Sequence, residues 1–95
     1  MKTLLVLGAG REQAHAIQLA RKLGYRTVAM DRDCAAVAHD QCDVFCNSDP
    51  ADLMAVVAAG SKYHVSGILC HSIELRDLCA QACRMLGLPG VNPTA

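Results

Sequence analysis

The sequence predicts a single α/β domain, a Rossmann-like three-layer sandwich in which helices cover both faces of a parallel sheet. Short apolar runs alternate with helix-patterned segments along the whole chain. The first run leads directly into a glycine turn, Gly8-Ala9-Gly10, and a helix pattern follows from Arg11. The chain has 95 residues, 53% of them hydrophobic, which is enough for one small core with strands buried on both faces.

The first half of the chain supplies two strands with a helix between them. Residues 4–7 are a continuous apolar run, typical of a strand buried on both faces. Apolar side chains at helical spacing indicate a helix over residues 11–23, and Gly24 ends it. Arg26–Met30 is the second strand. The alanines of residues 34–39 favour a short or irregular helix after it.

The second half continues the alternation. Residues 43–46 form a short third strand, after which Asp49 is expected to cap a helix with Pro50 at its first position. Residues 65–70 form the fourth strand. Ser72 is expected to cap the last helix, and Gly87 ends that helix. Residues 88–91 add a possible fifth strand.

These elements predict a parallel sheet, because strands that alternate with helices are joined by right-handed crossovers. The simplest strand order is 3-2-1-4, with the fifth strand as an optional addition. Residues 1–95 are therefore expected to form one domain. Because the sequence stops directly after a strand-like element, we expect this domain to belong to a longer enzyme.

The composition argues against several classes of partner. Nine basic and nine acidic residues cancel, and the three aromatic residues are scattered, so neither an attractive field nor a stacking surface for nucleic acid is present. No apolar stretch approaches the ~20 residues needed to span a bilayer. We expect a cytoplasmic protein whose six cysteines are reduced.

The glycine turn is the candidate binding site. Gly8 permits a turn at positive φ, Gly10 leaves room for a ligand, and the first turn of the next helix offers amides to an anion. Arg11 can contact a phosphate or a carboxylate there. Glu12 is favoured by the helix dipole alone, but it could also pair with a substrate amine or with an arginine of a neighbouring domain.

A dinucleotide is the alternative ligand for this turn. Asp31 follows the second strand at about the place of a ribose-binding acid. Gln13, however, stands where the dinucleotide fingerprint has its third glycine, the residue that allows close packing of helix and strand. Of the three features of the fingerprint, the paired glycines and the acidic residue are present and the third glycine is missing.

Metal or thiol catalysis has weaker support. Cys42 and Cys46, like Cys79 and Cys83, are separated by three residues rather than by the two typical of zinc ribbons, and core packing explains the second pair. We predict no metal ligand and no catalytic residue. His71 follows the fourth strand and is expected to line the substrate cleft.

Four segments carry a family resemblance. They are Leu-Val-Leu-Gly-Ala-Gly-Arg-Glu-Gln at residues 5–13, Leu-Gly-Tyr-Arg-Thr-Val-Ala-Met-Asp-Arg-Asp at 23–33, Val-Ser-Gly-Ile-Leu at 65–69 and Leu-Gly-Leu-Pro-Gly-Val-Asn-Pro at 86–93. In this order and spacing they resemble the N-terminal, pre-ATP-grasp domain of ATP-grasp enzymes, most of all the group related to the carbamoyl-phosphate synthase large chain. The chain departs from the family pattern between Asp33 and Asp43, where the family's prolines are missing.

The resemblance implies a substrate-side domain of an ATP-dependent ligase that forms an acylphosphate. ATP and Mg²⁺ are then expected in the full-length enzyme, in later domains of the same chain, and no cofactor is expected in this part, which alone would be inactive. A small carboxylate or phosphate is the expected substrate, and a homodimer is possible. By position, the substrate-binding residues would be Gly8, Ala9, Gly10, Arg11, Glu12, Asp31, His71, Ser72 and Glu74.

Two other functions remain open. One is a small nucleotide-binding module that holds NAD or a mononucleotide through Gly8, Gly10 and Asp31. The other is a docking or dimerisation domain, which the high apolar fraction makes plausible.

Overall fold

A computed structural model describes residues 2–89 and shows one four-stranded parallel sheet with the strand order β3-β2-β1-β4. The strands are β1 (Thr3–Leu7), β2 (Arg26–Met30), β3 (Val44–Cys46) and β4 (Gly67–Cys70). The helices are α1 (Arg11–Lys22), α2 (Leu53–Lys62) and α3 (Arg76–Leu86), the last preceded by a 3-10 turn at Ile73–Leu75. The predicted fold class and strand order are confirmed.

Helices cover both faces of the sheet because strand residues alternate between two cores. On one face, Val6 and Ala29 pack with Ile17 of α1. On the other face, α2 and α3 pack over the strands. The buried members of that core are Leu5, Leu7, Val28, Met30, Val56, Ala59, Val65, Ile68, Cys70, Cys79, Ala82 and Cys83.

A carboxylate anchors the start of β3 to β2. The Asp43 Oδ2 atom accepts hydrogen bonds from the Thr27 amide at 2.8 Å and from the Thr27 hydroxyl at 3.0 Å. The Asp43 amide in turn donates to the Thr27 carbonyl and hydroxyl oxygens, both at 3.1 Å. Thr27 is fully buried, so this exchange satisfies every polar group that the side chain brings into the core.

The helix predicted over residues 34–39 is wrong, because the segment forms successive turns instead. The Asp33 carboxylate accepts from the Ala35 amide, and the Ala38 amide donates to the Ala9 carbonyl at 2.8 Å. Since Ala38 is bonded to the glycine turn, its amide is not available for an intrahelical bond. Ala38 is also fully buried, so the segment is anchored to the core of the α1 face.

The predicted caps of the second and third helices are also wrong. α2 begins after Asp52, whose Oδ1 accepts from the Met54 amide at 3.1 Å, whereas Asp49 caps the preceding turn through the Ala51 amide. α3 has no side-chain cap. The carbonyl of Ser72 accepts from the Leu75 amide, because a 3-10 turn precedes the helix.

The predicted fifth strand falls partly outside the described residues, which end at Pro89. Leu88 is not in a strand; it packs against the core under α2 and α3, and its amide donates to the Cys83 carbonyl. Across residues 2–89, no helix is long and apolar enough to cross a membrane.

The six cysteines are unpaired and differ sharply in exposure, which leads to a labelling prediction. We expect a thiol reagent at mildly alkaline pH to modify exposed Cys34 first, and to modify Cys70, Cys79 and Cys83 only after unfolding. Burial is the main reason, and it raises the pKa of Cys79 to about 12, so that its reactive thiolate is scarce. Mass spectrometry of labelled peptides measures the order. A Cys34→Ser variant should lose the fast phase, while equally fast modification of Cys79 in folded protein would contradict the packing of α3.

Candidate functional site

The carboxyl edge of the sheet brings four loops together. In the strand register, Leu7 of β1 lies beside Met30 of β2 and Cys70 of β4, and Met30 lies beside Cys46 of β3. The residues that follow these aligned strand ends are Gly8, Asp31, Asn47 and His71. In open parallel sheets, ligands bind at this edge.

The glycine turn is tightly anchored to its surroundings. Gly8 has a φ of +103°, as predicted, and its amide donates to the Met30 carbonyl at 2.6 Å. Ala9 is fully buried, and its carbonyl accepts from the Ala38 amide. The side chain of Ala9 therefore belongs to the core, and only its backbone can take part in a binding site.

Two amides of the turn are already hydrogen-bonded within the protein. The Ala9 amide donates to Asp31 Oδ2 at 3.0 Å, and the Gly10 amide donates to Gln13 Oε1 at 3.0 Å. An anion-binding turn would need these amides free for the ligand. In the structure Asp31 joins the turn to the end of β2, and Gln13 caps the start of its own helix.

The amides of Arg11 and Glu12, the next two residues, differ from those of Ala9 and Gly10. Within residues 2–89, neither the Arg11 nor the Glu12 amide donates to a protein acceptor, as expected for the first turn of a helix. Both side chains are exposed, and neither forms an ion pair with another described residue. The first turn of α1 thus offers two amides, one cation and one carboxylate to solvent.

Asn47 is a polar residue of this edge that sequence reasoning missed. Its Nδ2 donates to the carbonyls of Asp31 and Arg32, at 3.1 and 3.0 Å. The Asp31 carboxylate also accepts from the Asp33 amide at 2.9 Å, which fixes the loop from both sides. An asparagine directly after a short strand is the sequence signal that could have identified it.

The residues after β4 lie beside the glycine turn without bonding to it. His71 is exposed and lines an apolar depression of about 210 Å³ together with Leu4 and Leu69. The Ser72 carbonyl accepts from the Cys70 thiol at 3.2 Å, and Glu74 is exposed in the 3-10 turn. No hydrogen bond among the described residues joins this loop to residues 8–13.

Metal chemistry has no support in the described part of the chain, where no three His, Cys, Asp or Glu side chains are grouped to hold an ion. Burial raises the pKa of Cys42 and of Cys70 above the ordinary thiol value, which makes both poor nucleophiles. What this edge offers to solvent is backbone amides and charged side chains.

Gly8 can be tested against a matched glycine. We expect Gly8→Ala to lower the free energy of unfolding by about 1–3 kcal/mol, because alanine is strained at positive φ. A methyl group at Gly8 would also lie 3.2 Å from Gln13 Cδ. Gly24 has a similar φ of +89° with nothing near its would-be methyl group, so Gly24→Ala measures the backbone cost alone. Urea unfolding of both variants gives the difference, and a smaller loss at Gly8 would contradict the packing of Gln13 over it.

No protein-family model matches the chain, and no curated protein matches its sequence. Solved structures do match. Phosphoribosylglycinamide synthetase from Anaerococcus prevotii is 25% identical over 97% of this chain and 24% of its own, with a TM-score of 0.80. The biotin carboxylase domain of a single-chain bacterial carboxylase is 17% identical over 93% of this chain and 23% of its own, with a TM-score of 0.79. A UDP-glucose 4-epimerase from Thermotoga maritima is 12% identical over 90% of this chain and 35% of its own, with a TM-score of 0.71.

The chain thus spans about a quarter of the length of the synthetase and carboxylase chains that it matches. These two belong to the ATP-grasp ligases, and the match is to one part of each chain. The likeness to the carboxylase and to the epimerase, at 17% and 12% identity, shows a shared fold only. The structure of this chain is accordingly similar to one domain of ATP-grasp ligases.

Proposed function

We propose that this chain is the substrate-side N-terminal domain of an ATP-grasp ligase of the carbamoyl-phosphate-synthase-like group, and that it is inactive alone. The observation that carries the proposal is the match of 97% of the chain to one part of a phosphoribosylglycinamide synthetase. The four sequence segments quoted above are spread over the same length. Fold and motif order therefore point to the same class of enzyme.

The reaction of such enzymes has two steps. A carboxylate oxygen of one substrate attacks the γ-phosphorus of ATP, giving an acylphosphate and ADP. An amine or similar nucleophile then attacks the acyl carbon, and phosphate leaves. ATP and Mg²⁺ supply this chemistry when bound in the later domains. The residues described here do not fit ATP and Mg²⁺. The Ala9 and Gly10 amides of the turn are bonded to Asp31 and Gln13, and among residues 2–89 no three His, Cys, Asp or Glu side chains are grouped to hold an ion.

The role that we propose for this chain is to orient the acceptor substrate. The first-turn amides of Arg11 and Glu12 and the Arg11 guanidinium favour an anionic group, a small carboxylate or phosphate. Glu12 suits an amine at the other end of the same molecule. His71, Ser72 and Glu74 follow the neighbouring strand, so they flank this position at the same edge of the sheet.

A docking role is compatible with the same proposal and is supported by a separate observation. Leu19 of α1 and Leu23, the residue directly after this helix, are 58% and 68% exposed. They line the depression that Leu4 and Leu69 also line beside β4. The surface fits the remaining domains of a ligase or a second copy of the chain.

NMR titration of the ¹⁵N-labelled domain tests the proposal. Inorganic phosphate and acetate should shift the amide signals of Arg11 and Glu12 and leave those of α3 unchanged. Arg11→Ala should weaken this response, whereas Arg84→Ala, which removes an exposed arginine from the end of α3, should not. ATP with Mg²⁺ should shift the Arg11 and Glu12 signals no more than inorganic phosphate does, without saturation, and should leave those of α3 unchanged. Saturable binding of ATP–Mg²⁺ by the domain would contradict the assignment of the nucleotide site to other domains.

A further inference from the structure

We propose that Gln13 is a specificity-determining residue that closes the glycine turn to dinucleotides. The inference concerns the turn to which the proposed function assigns the acceptor substrate, and it rests on that assignment. It explains why a chain with two of the three features of a dinucleotide fingerprint would not use them for a dinucleotide.

The Gln13 carboxamide lies against both glycines of the turn. Its Oε1 atom accepts from the Gly10 amide at 3.0 Å. A methyl group on Gly10 would lie 3.1 Å from Oε1, and one on Gly8 would lie 3.2 Å from Cδ and 3.3 Å from Nε2. Both glycines therefore face the Gln13 side chain. In a dinucleotide-binding protein, the space next to these glycines receives the pyrophosphate. Here the side chain of Gln13 fills that space.

The position of Gln13 adds a second obstacle. In the dinucleotide fingerprint this position is glycine, which lets the helix and the strand pack closely. Here Gln13 is half-buried and its carboxamide stands in for a ligand oxygen at the Gly10 amide. A pyrophosphate would have to displace that hydrogen bond and the contacts above Gly8 before it could bind.

Asp31 completes the closure from the other side. Its carboxylate accepts from the Ala9 and Asp33 amides, at 3.0 and 2.9 Å. A carboxylate that accepts two backbone hydrogen bonds has less capacity left for a ribose hydroxyl. Asp31 is joined to the turn at Ala9, and Gln13 is joined at Gly10, so each of the two neighbouring amides has an internal partner. Of these two side chains, only that of Gln13 fills the space over the glycines.

The experiment measures NAD binding by the 95-residue protein and by four variants. Gln13→Ala and Gln13→Gly remove the carboxamide, and each should give measurable NAD binding at least about tenfold tighter than the detection limit that the wild type fails to reach, the worth of one freed charge-assisted hydrogen bond. Gln13→Glu keeps the shape and the acceptor and adds a charge that repels pyrophosphate, so it should bind no better than the wild type. Gln18→Ala makes the same truncation at an exposed glutamine of α1 and serves as the matched control.

Calorimetry gives the affinities, and the amide signal of Gly10 in ¹⁵N spectra reports on the site. NAD should shift that signal in the Gln13→Ala and Gln13→Gly variants. A purely structural role as a helix cap would lower the melting temperature of these variants and leave NAD affinity unchanged, and that result would overturn the inference while leaving the proposed function intact. Equal affinity gains for Gln18→Ala would also overturn it. Binding of ATP–Mg²⁺ by the wild type would instead count against the proposed function alone.

Discussion

Replacing Ile17 with alanine is expected to lower the free energy of unfolding by about 2–5 kcal/mol, the range for large-to-small substitutions in a packed core. The three buried residues of α1 are Ala14, Ile17 and Ala20, so Ile17 is the one large side chain that fixes this helix to the sheet. Domains of this kind are stable by roughly 5–15 kcal/mol, so the loss would be a large fraction of the total. Urea unfolding followed by circular dichroism measures it.

Leu19→Ala is the control on the same helix. Leu19 is 58% exposed, so its truncation should change the free energy of unfolding by no more than about 0.5 kcal/mol. The Ile17 variant should also weaken the hydrogen-exchange protection of α1, at whose N-terminus Arg11 and Glu12 lie. Equal losses for the two variants would show that α1 is not packed on the sheet through Ile17.

Replacing Asp43 with alanine is expected to cost about 1–3 kcal/mol at neutral pH. The cost arises because the buried Thr27 amide and hydroxyl would lose the carboxylate that accepts from both. The Arg21 guanidinium lies 3.5 Å from the same carboxylate and would lose an ion pair, a smaller contribution at a partly exposed site.

The contribution of Asp43 should also depend on pH. The hydrogen bond from the Thr27 amide, followed by that from its hydroxyl and by the charge of Arg21, lowers the pKa of Asp43 below its ordinary value. A group with a lower pKa in the folded state stabilises the protein above its unfolded pKa of about 3.9 and loses that stabilisation as the pH falls through the folded pKa. The stability difference between the wild type and Asp43→Asn should therefore shrink on acidification.

Asp40→Asn is the matched control for this series. Asp40 lies in the same connection between β2 and β3, its side chain is 99% exposed, and its described ionic partner is His39. Its replacement should leave stability near neutral pH almost unchanged. Urea unfolding of the three proteins from pH 7 down to about pH 3 separates the cases. A gap between the wild type and Asp43→Asn that stays constant over this range would contradict the bonding of the Asp43 carboxylate to Thr27.

The sheet could be predicted from the sequence because its signals are local. Apolar runs and glycines mark β1, β2 and β4, and the alternation of strands with α1 and α2 indicates parallel strands joined by right-handed crossovers. The caps of α2 and α3 could not be predicted in the same way. Asp49 and Asp52 are both good capping residues, and only the turn that Asp49 forms with Ala51 decides between them.

The candidate site also contains features that local sequence signals do not predict. The spacing located the glycine turn and placed Gly8 at positive φ, and both features are present. The partners of the turn amides were not predictable, because Asp31 reaches Ala9 from the end of the neighbouring strand and Gln13 folds back over one helical turn. Asn47 bonds to carbonyls of another loop, which depends on the register of β2 and β3. The spacing of residues along the sequence does not indicate which of these hydrogen bonds form in the folded protein.

The most direct test of the central claim is calorimetric titration of the 95-residue wild-type protein with NAD and, separately, with ATP and Mg²⁺. A substrate-side domain whose turn amides are bonded to Asp31 and Gln13 should give no saturable binding with either nucleotide. Saturable NAD binding that Asp31→Ala abolishes would contradict the account, since it would make the glycine turn a dinucleotide site and the chain a small nucleotide-binding module.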